Sequence, residues 1–582
     1  MSSVTSSDSG SSGSGSDTPW LGPGQVGTGN LTAVPQCDQE PSEAAVVEEI
    51  HDNAPLRPRT PRPTPLAEVE ALLGLAPTGT DAAGSQLPVV GGVLVTGITH
   101  NSRAVLPGDV YAALPGAHAH GADFAAQAAA AGAVAVLTDS EGARRAADCG
   151  LPLLVVERPR TRMGALAAAL YGHPAEELLG IGITGTNGKT TTAYLVEGGL
   201  RAAGRATGLV GTVEMRVGNA RFKSERTTPE STDLHAVLAV MRERGADALV
   251  MEVSSHALVY GRVDGVLYDV AVFNNLTPEH LDFHSDMEDY FRAKASLFTP
   301  ERARLGVANL DDAYGRRLAA EAQIPVVTCS AEGDPAADWR AEAVHLGASG
   351  STFRVVGPGG VSADCSVQLP GPFNVANALA AVTALVSAGL PLDEVAAGVS
   401  AVPGVPGRME RVDAGQPFVA VVDYAHKPDA LESALHALRE VTKGRLHVVV
   451  GCGGDRDPFK RGPMGAIAAR CADTAVLTSD NPRSEDPLAI LAAMFGGAVE
   501  VPEAERGAVV VEPDRARAIA AAVALAHAGD CVLVAGKGHE LGQYVRDEIR
   551  PFDDRAVLRE AILRLGPGET TDAVGSHGDA KE

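Results

Sequence analysis

From about residue 65 onward, short apolar runs alternate with polar turns and helix-like stretches. That rhythm is the pattern of a mainly parallel sheet with helices packed on both faces. Val93-Leu94-Val95, Val110 to Leu114 and Ala133 to Leu137 read as strands, and Ala125 to Ala131 as a helix. Next, Leu179 to Thr184 reaches a glycine-rich turn and a helix-like segment, Ala193 to Ala203. Ala248 to Val253 and Val270 to Phe273 read as further strands, and Tyr290 to Leu297 as a helix. Toward the end, four strand-like runs (418–422, 446–450, 475–478 and 531–535) each stop at charged, glycine-rich residues. The Pro/Gly-rich stretch Val402 to Gly407 separates the middle series from the last and reads as a hinge.

The chain has 582 residues, too long for one core and enough for about three or four domains. The fold class is α/β in three domains. These are a small α/β N-terminal domain (63–179), a central P-loop parallel-sheet domain (180–406) and a C-terminal Rossmann-like domain (407–566). Residues 1–62 open in Ser/Gly repeats and end in an Arg/Pro-rich run. With the polar tail 567–582, they bury too little apolar surface to order themselves.

Charge and cysteine usage narrow the class. A net charge of −25 disfavours nucleic acid and anionic membrane surfaces as partners. Seven scattered cysteines without a Cys-x-x-Cys pair indicate neither a disulfide framework nor a zinc site, and fit a reducing cytoplasm. There is no signal-peptide pattern and no long apolar run that would give stable membrane insertion.

The most specific chemistry lies at Gly185-Thr186-Asn187-Gly188-Lys189-Thr190-Thr191. Backbone N–H groups of such a turn, with the helix's positive end, cradle an oligophosphate. Lys189 would neutralise phosphate charge and the Thr190 hydroxyl would hold Mg²⁺. The strict phosphate-loop pattern asks for glycine at 183, where this chain has Ile183. Glu252 and His280 follow apolar strands and would reach the same phosphates. In the last domain, ligands bind at the carboxyl ends of parallel strands, which groups Asp423, His426, Arg456, Asp480, Arg483 and Glu540 around one cleft. By pattern alone, Lys294 is a solvated helical lysine, and the His118/His120 loop is a turn.

Taken together these motifs resemble the Mur ligase family, the ATP-dependent amino-acid ligases of peptidoglycan precursor synthesis. The resembling stretches are 185–191, Met-Glu-Val-Ser-Ser-His at 251–256, Asn-Leu-Thr-Pro-Glu-His-Leu-Asp at 275–282 and Gly-Pro-Phe-Asn-Val-Ala-Asn at 371–377. Gly-Arg-Met-Glu at 407–410 and Asp-Tyr-Ala-His-Lys-Pro-Asp at 423–429 complete the series. Asp480-Asn481-Pro482-Arg483 is similar to the signature of the branch that adds diaminopimelate.

The resemblance implies ATP and Mg²⁺ as cofactors. It implies two small-molecule substrates, a UDP-linked muramyl dipeptide and diaminopimelate, and a cytoplasmic monomer. The first domain would bind the UDP part, the second ATP and the third the amino acid. Ser102 would touch the uridine nucleotide, and Thr227, Thr228, Ser254 and Arg262 the acceptor's sugar and peptide. Asn374, Arg408, Asp423 and His426 would join the phosphate loop around ATP. Arg456, Asp480, Asn481, Pro482, Arg483, Gly536 and Glu540 would hold diaminopimelate. Lys294 matches a lysine carboxylated to a carbamate, which would join Thr190, Glu252 and His280 at the metal, so that Lys189, Glu252, His280 and Lys294 are the expected catalytic set. Tyr260 departs from the family, where glutamine is common. Two rivals are a folylpolyglutamate synthetase-like ligase and a catalytically silent Mur-like scaffold. The first is disfavoured by Asp480 to Arg483, the second by the retained polar set.

Overall fold

A computed structural model describes residues 56–76 and 92–565 of the chain. Most of the expected N-terminal arm and the tail 567–582 lie outside the described residues. Residues 56–62, assigned to that arm, are in fact seated. Arg57 pairs with Asp109 and donates to the Tyr171 hydroxyl at 2.7 Å, and the Arg59 and Thr60 N–H groups donate to Glu243. Anchoring by buried charge offsets the low apolar content on which the expectation of disorder rested.

The first sheet has four parallel strands in sequence order: β1 (Gly97–Thr99), β2 (Asp109–Ala112), β3 (Ala135–Thr138) and β4 (Leu153–Val155). The expected strand Val93 to Val95 instead contributes Leu94–Val95 to a two-residue antiparallel pairing with Thr64–Pro65. Helix α1 (Pro159–Leu170) packs against this sheet through Met163, Leu166 and Leu170.

The central sheet has eleven strands. In chain order these are β5 (Leu179–Thr184), β6 (Thr207–Val210), β7 (Glu214–Val217), β8 (Ala220–Lys223), β9 (Ala248–Glu252), β10 (Tyr268–Phe273), β11 (Ala303–Asn309), β12 (Val326–Ser330), β13 (Trp339–Gly347), β14 (Gly350–Val356) and β15 (Ser362–Val367). Their spatial order is β8-β7-β6-β9-β5-β10-β11-β12-β13-β14-β15. The middle is parallel, as expected, but both ends are antiparallel, so the sheet is mixed. The antiparallel strands β8, β13, β14 and β15 carry exposed residues between buried ones, which hid them from a reading based on apolar runs.

Burial follows the period of two in a strand. In β9, Ala248 and Val250 join the core under α2 (Lys189–Ala202), while Leu249 and Met251 join the opposite core under α3 (Ser231–Glu243). Two-sided burial explains why these strands read as continuous apolar runs.

The third sheet comprises β16 (Glu410–Arg411), β17 (Val419–Asp423), β18 (Leu446–Val450), β19 (Thr474–Leu477), β20 (Ala508–Val511) and β21 (Cys531–Ala535). The order is β16-β17-β21-β18-β19-β20, parallel except for β16. A closing hairpin pairs β22 (Gly542–Val545) with β23 (Glu548–Pro551). The expected hinge is not a free linker, because Val405 and Met409 are buried within the core that runs on into this third sheet.

Candidate active site

Strand β5 ends at Thr184, and the register sets Glu252 beside Ile183 and Phe273 beside Thr184. Three strand ends therefore open at one place. Ile183 is a fully buried core residue rather than a loop glycine. The loop takes its freedom from Gly185 (φ 148°) and Gly188 (φ 83°) instead. At Gly188 a side chain is excluded twice over, since a Cβ would lie 2.2 Å from the Asn377 amide oxygen. That left-handed residue lets α2 start at Lys189 rather than Ala193, so the Lys-Thr-Thr sequence lies in the first helical turn.

Lys189 Nζ donates to the Gly185 and Thr186 carbonyls at 2.7 and 2.9 Å. Lys294, far from a solvated helical lysine, is 1% exposed on α4 (Met287–Ala295) and donates to the same Gly185 carbonyl at 2.9 Å. Burial first, then the adjacent Lys189 charge, pushes its ammonium well below the usual lysine range. Its Nζ lies 4.7 Å from the centre of the Tyr290 ring.

Glu252 is 1% exposed and accepts three donors: Thr190 Oγ1 (3.0 Å), Thr212 N–H (2.7 Å) and Thr212 Oγ1 (3.0 Å). A buried carboxylate fed by hydroxyls and an amide rather than by a cation, next to a second hard oxygen, is a donor set suited to magnesium. Thr212 was not expected, because it lies in a turn with no motif around it. His280 has φ 56° and its Nε2 lies 3.1 Å from Glu279 Oε1. Burial lowers its pKa to about 4, leaving it neutral.

Glu279, inside the 275–282 stretch, is the main electrostatic junction of the site. It pairs with Lys427 across the central and third sheets and meets His280. Burial alone would raise its pKa, but the Lys427 and Lys189 ammoniums outweigh that and hold it at about 2. Two further contacts cross the same gap. Thr277 Oγ1 donates to Asp429 at 3.0 Å, and Arg408 Nη2 donates to Thr190 Oγ1 at 3.3 Å. Arg408 is held by stacking 4.5 Å above the Tyr424 ring, and Asp423 fixes the turn below it by accepting the Met409 N–H at 2.7 Å.

These groups enclose a cavity of about 740 Å³. Of the expected residues, Thr186, Asn187, Gly188, Lys189, Thr190, Thr191, Thr227, Glu252, Ser254, His280, Asn374, Arg408, Asp423 and His426 line it. Thr228 lies just beneath, donating to the Glu252 carbonyl at 2.8 Å. Ser102 is elsewhere, beyond the end of β1 and near Tyr111. Arg262 is tied to Glu230 at 2.9 Å, as is Arg160 of α1 at 2.8 Å, with both guanidiniums beside the Tyr260 ring. His120 caps a helical turn and meets Asp139, as expected of a turn residue.

The second cluster follows from topology. Register puts Asp423 beside Ala535, Ala535 beside Val450, and Val450 beside Leu477. Neighbouring strand ends are about 4.8 Å apart, so the loops after β17, β21, β18 and β19 form one rim. Asn481 Nδ2 donates to Glu540 Oε2 at 2.8 Å, and a Cβ on Gly536 would lie 2.8 Å from Asp480 Oδ2. Pro482 backs Gly454, where a Cβ would strike the Pro482 carbonyl at 2.0 Å. Arg483 has φ 53°, held by hydrogen bonds with Tyr544 and Arg546, and its Nη1 donates to the Gly454 carbonyl at 2.7 Å. Arg456 is exposed and donates to the Asp455 carbonyl at 3.3 Å, and its Cγ and Arg483 Nη1 both flank Gly453.

Three family models match the chain: "Mur ligase family, catalytic domain" over 94–171, "Mur ligase middle domain" over 183–385 and "Mur ligase, glutamate ligase domain" over 407–538. The UDP-N-acetylmuramoyl-L-alanyl-D-glutamate–2,6-diaminopimelate ligase of Streptomyces avermitilis is 66% identical over 508 residues, 87% of this chain and 98% of that protein. A solved structure of a ligase of that description is 32% identical and covers 81% of this chain and 95% of its own, with a TM-score of 0.60. Folylpolyglutamate synthase of Mycobacterium tuberculosis, complexed with ADP and AMPPCP, shares the fold alone at 20% identity, covering 65% of this chain and 92% of its own, with a TM-score of 0.52.

Proposed function

The chain belongs to the Mur ligase family, and we propose that it joins diaminopimelate to UDP-N-acetylmuramoyl-L-alanyl-D-glutamate with conversion of ATP to ADP and phosphate. The near full-length likeness to a ligase of that description carries the reading.

The acceptor's D-glutamyl side-chain carboxylate attacks the γ-phosphorus, and ADP leaves. The acyl phosphate is then attacked at carbon by the diaminopimelate amine, which loses a proton as phosphate departs. Lys189 and Arg408 would neutralise charge on the transferring phosphoryl group. Thr190 and Glu252 would hold Mg²⁺, which supplies further screening of phosphate charge. His280, whose ring nitrogen faces Glu279, suits an oxygen-seeking cation less well. The neutral amine of Lys294 is the form that adds to carbon dioxide, giving a carbamate and a proton, and this turns a buried base into an anion beside Lys189. Thr227, Thr228 and Ser254 adjoin the phosphate loop and suit the acceptor's peptide end. Ser102, on the first sheet, suits the uridine end. Arg483 presents a planar fork to the carboxylate that diaminopimelate has and lysine lacks.

The contacts of Arg408, Lys427 and Asp429 with the central unit support a single pocket fed from two sheets. An acceptor carried on UDP suits an enzyme of the cytoplasm. Among the described residues no helix is long and apolar enough to cross a membrane. The test is phosphate release from ATP with the muramyl dipeptide nucleotide and, in turn, diaminopimelate, lysine, or folate plus glutamate. Release with diaminopimelate alone is expected. Release with folate plus glutamate, or with none, would overturn the reading.

A further inference from the structure

Lys537 has no part in the scheme above, yet it is fully buried in the rim at the third sheet's strand ends. It follows β21 and is flanked by Gly536 (φ 114°) and Gly538 (φ 53°), a backbone that turns its side chain inward. Among the described residues, both hydrogen bonds of its ammonium go to the candidate amino-acid pocket: Asn481 Oδ1 at 2.9 Å and Glu540 Oε2 at 3.1 Å. Asn481 Oδ1 also accepts the Tyr544 N–H at 3.0 Å. With two donors on its oxygen, the Asn481 amide has only one workable orientation, and its Nδ2 must face Glu540. Two donors thus converge on Glu540 Oε2, with Tyr424 beside the same carboxylate. The Glu540 side chain remains 28% exposed, so the carboxylate is reachable by a ligand.

We propose that Lys537 is a positioning residue. It fixes the rotamer of Glu540 and the orientation of the Asn481 amide, and so prepares a carboxylate oxygen to receive an ammonium group of the incoming amino acid. This rests on the reading of the cluster as the amino-acid site. An ammonium suits the task because its tetrahedral donors serve two acceptors at once.

The experiment compares Lys537→Met and Lys537→Gln, each alone and combined with Glu540→Gln, by steady-state phosphate release and thermal melting. Lys537→Met should raise KM for diaminopimelate about tenfold or more, the loss of a charge-assisted hydrogen bond, with KM for ATP within about twofold. Lys537→Gln, which keeps a donor, should fall between. On the Glu540→Gln background, Lys537→Met should add less than about threefold, because the two act as one unit. Equal rises in both KM values, an unchanged KM for diaminopimelate, or factors that multiply in the double variant would overturn the proposal. If Lys537→Met fails to fold, the Gln variant and its double carry the same comparison. Wild-type protein that releases no phosphate with diaminopimelate would instead count against the function.

Discussion

Replacing Arg483 by glycine separates the guanidinium's chemistry from its backbone. At φ 53° a side chain costs about 1 kcal/mol or more in strain. Glycine relieves that but costs about 0.5–1 kcal/mol in chain entropy. The two effects offset, so the variant should melt within about 1 kcal/mol of the parent. The loss falls on binding. Nη1 is engaged by the Gly454 carbonyl, which leaves Nη2 and Nε to grip a carboxylate bidentately. Each charge-assisted hydrogen bond contributes about 1.5–3 kcal/mol. Arg483 is half-buried, so solvent holds the pair to the low end, about 3 kcal/mol in all. That is a fall of about a hundredfold in kcat/KM for diaminopimelate. Lysine, without the second carboxylate, should be used no worse than by the parent, so discrimination between the two collapses. Phosphate release with each amino acid, beside KM for ATP and a melting curve, reads all three effects. An unchanged kcat/KM for diaminopimelate, or an equal loss for ATP, would refute the reasoning.

Three further outcomes are expected. Lys294→Ala should lose most activity, recoverable in part with added short carboxylic acids, and the parent should slow when carbon dioxide is stripped from the buffer; indifference of both to these treatments would count against a carbamate. Glu279 is held at about 2, below the ordinary value of about 4.3, so its pairing stabilises the fold above about pH 4.3 and is lost as pH falls toward 2. Glu279→Gln should therefore flatten the parent's decline in melting temperature over that window, an effect of order 3 kcal/mol, whereas parallel curves would contradict it. Arg515 and Asp554 form a fully buried pair at 2.6 Å that also holds the Ala535 carbonyl beside the rim. Arg515→Ala should destabilise by about 3–5 kcal/mol in denaturant unfolding, and a change under about 1 kcal/mol would show the pair is dispensable.

What the sequence made legible has a physical pattern. Strands buried on both faces, such as Leu446–Val450 and Cys531–Ala535, appear as unbroken apolar runs and were located to the residue. Their adjacent carboxyl ends then follow from topology alone. The antiparallel ends did not show, because β8, β13 and β14 alternate exposed residues with buried ones. The helix after the phosphate loop began four residues early, because Gly188 supplies a left-handed turn that a run of threonines, poor helix formers, does not advertise. Lys294 was misread from pattern because amphipathic spacing cannot register the Gly185 carbonyl, 109 residues away, that satisfies its amine. Thr212, Glu279 and Lys537 act through partners distant in the chain, and no local motif could have exposed those contacts.

The central claim is one ligation through an acyl phosphate in a pocket shared by the second and third units. The acceptor labelled with ¹⁸O in its D-glutamyl side-chain carboxylate tests it most directly, by mass spectrometry of the phosphate released as diaminopimelate is joined. Attack by that carboxylate on ATP, followed by attack of the amine at carbon, leaves one labelled oxygen in each phosphate. Unlabelled phosphate accompanying product, or phosphate without any diaminopimelate-containing product, would contradict the account.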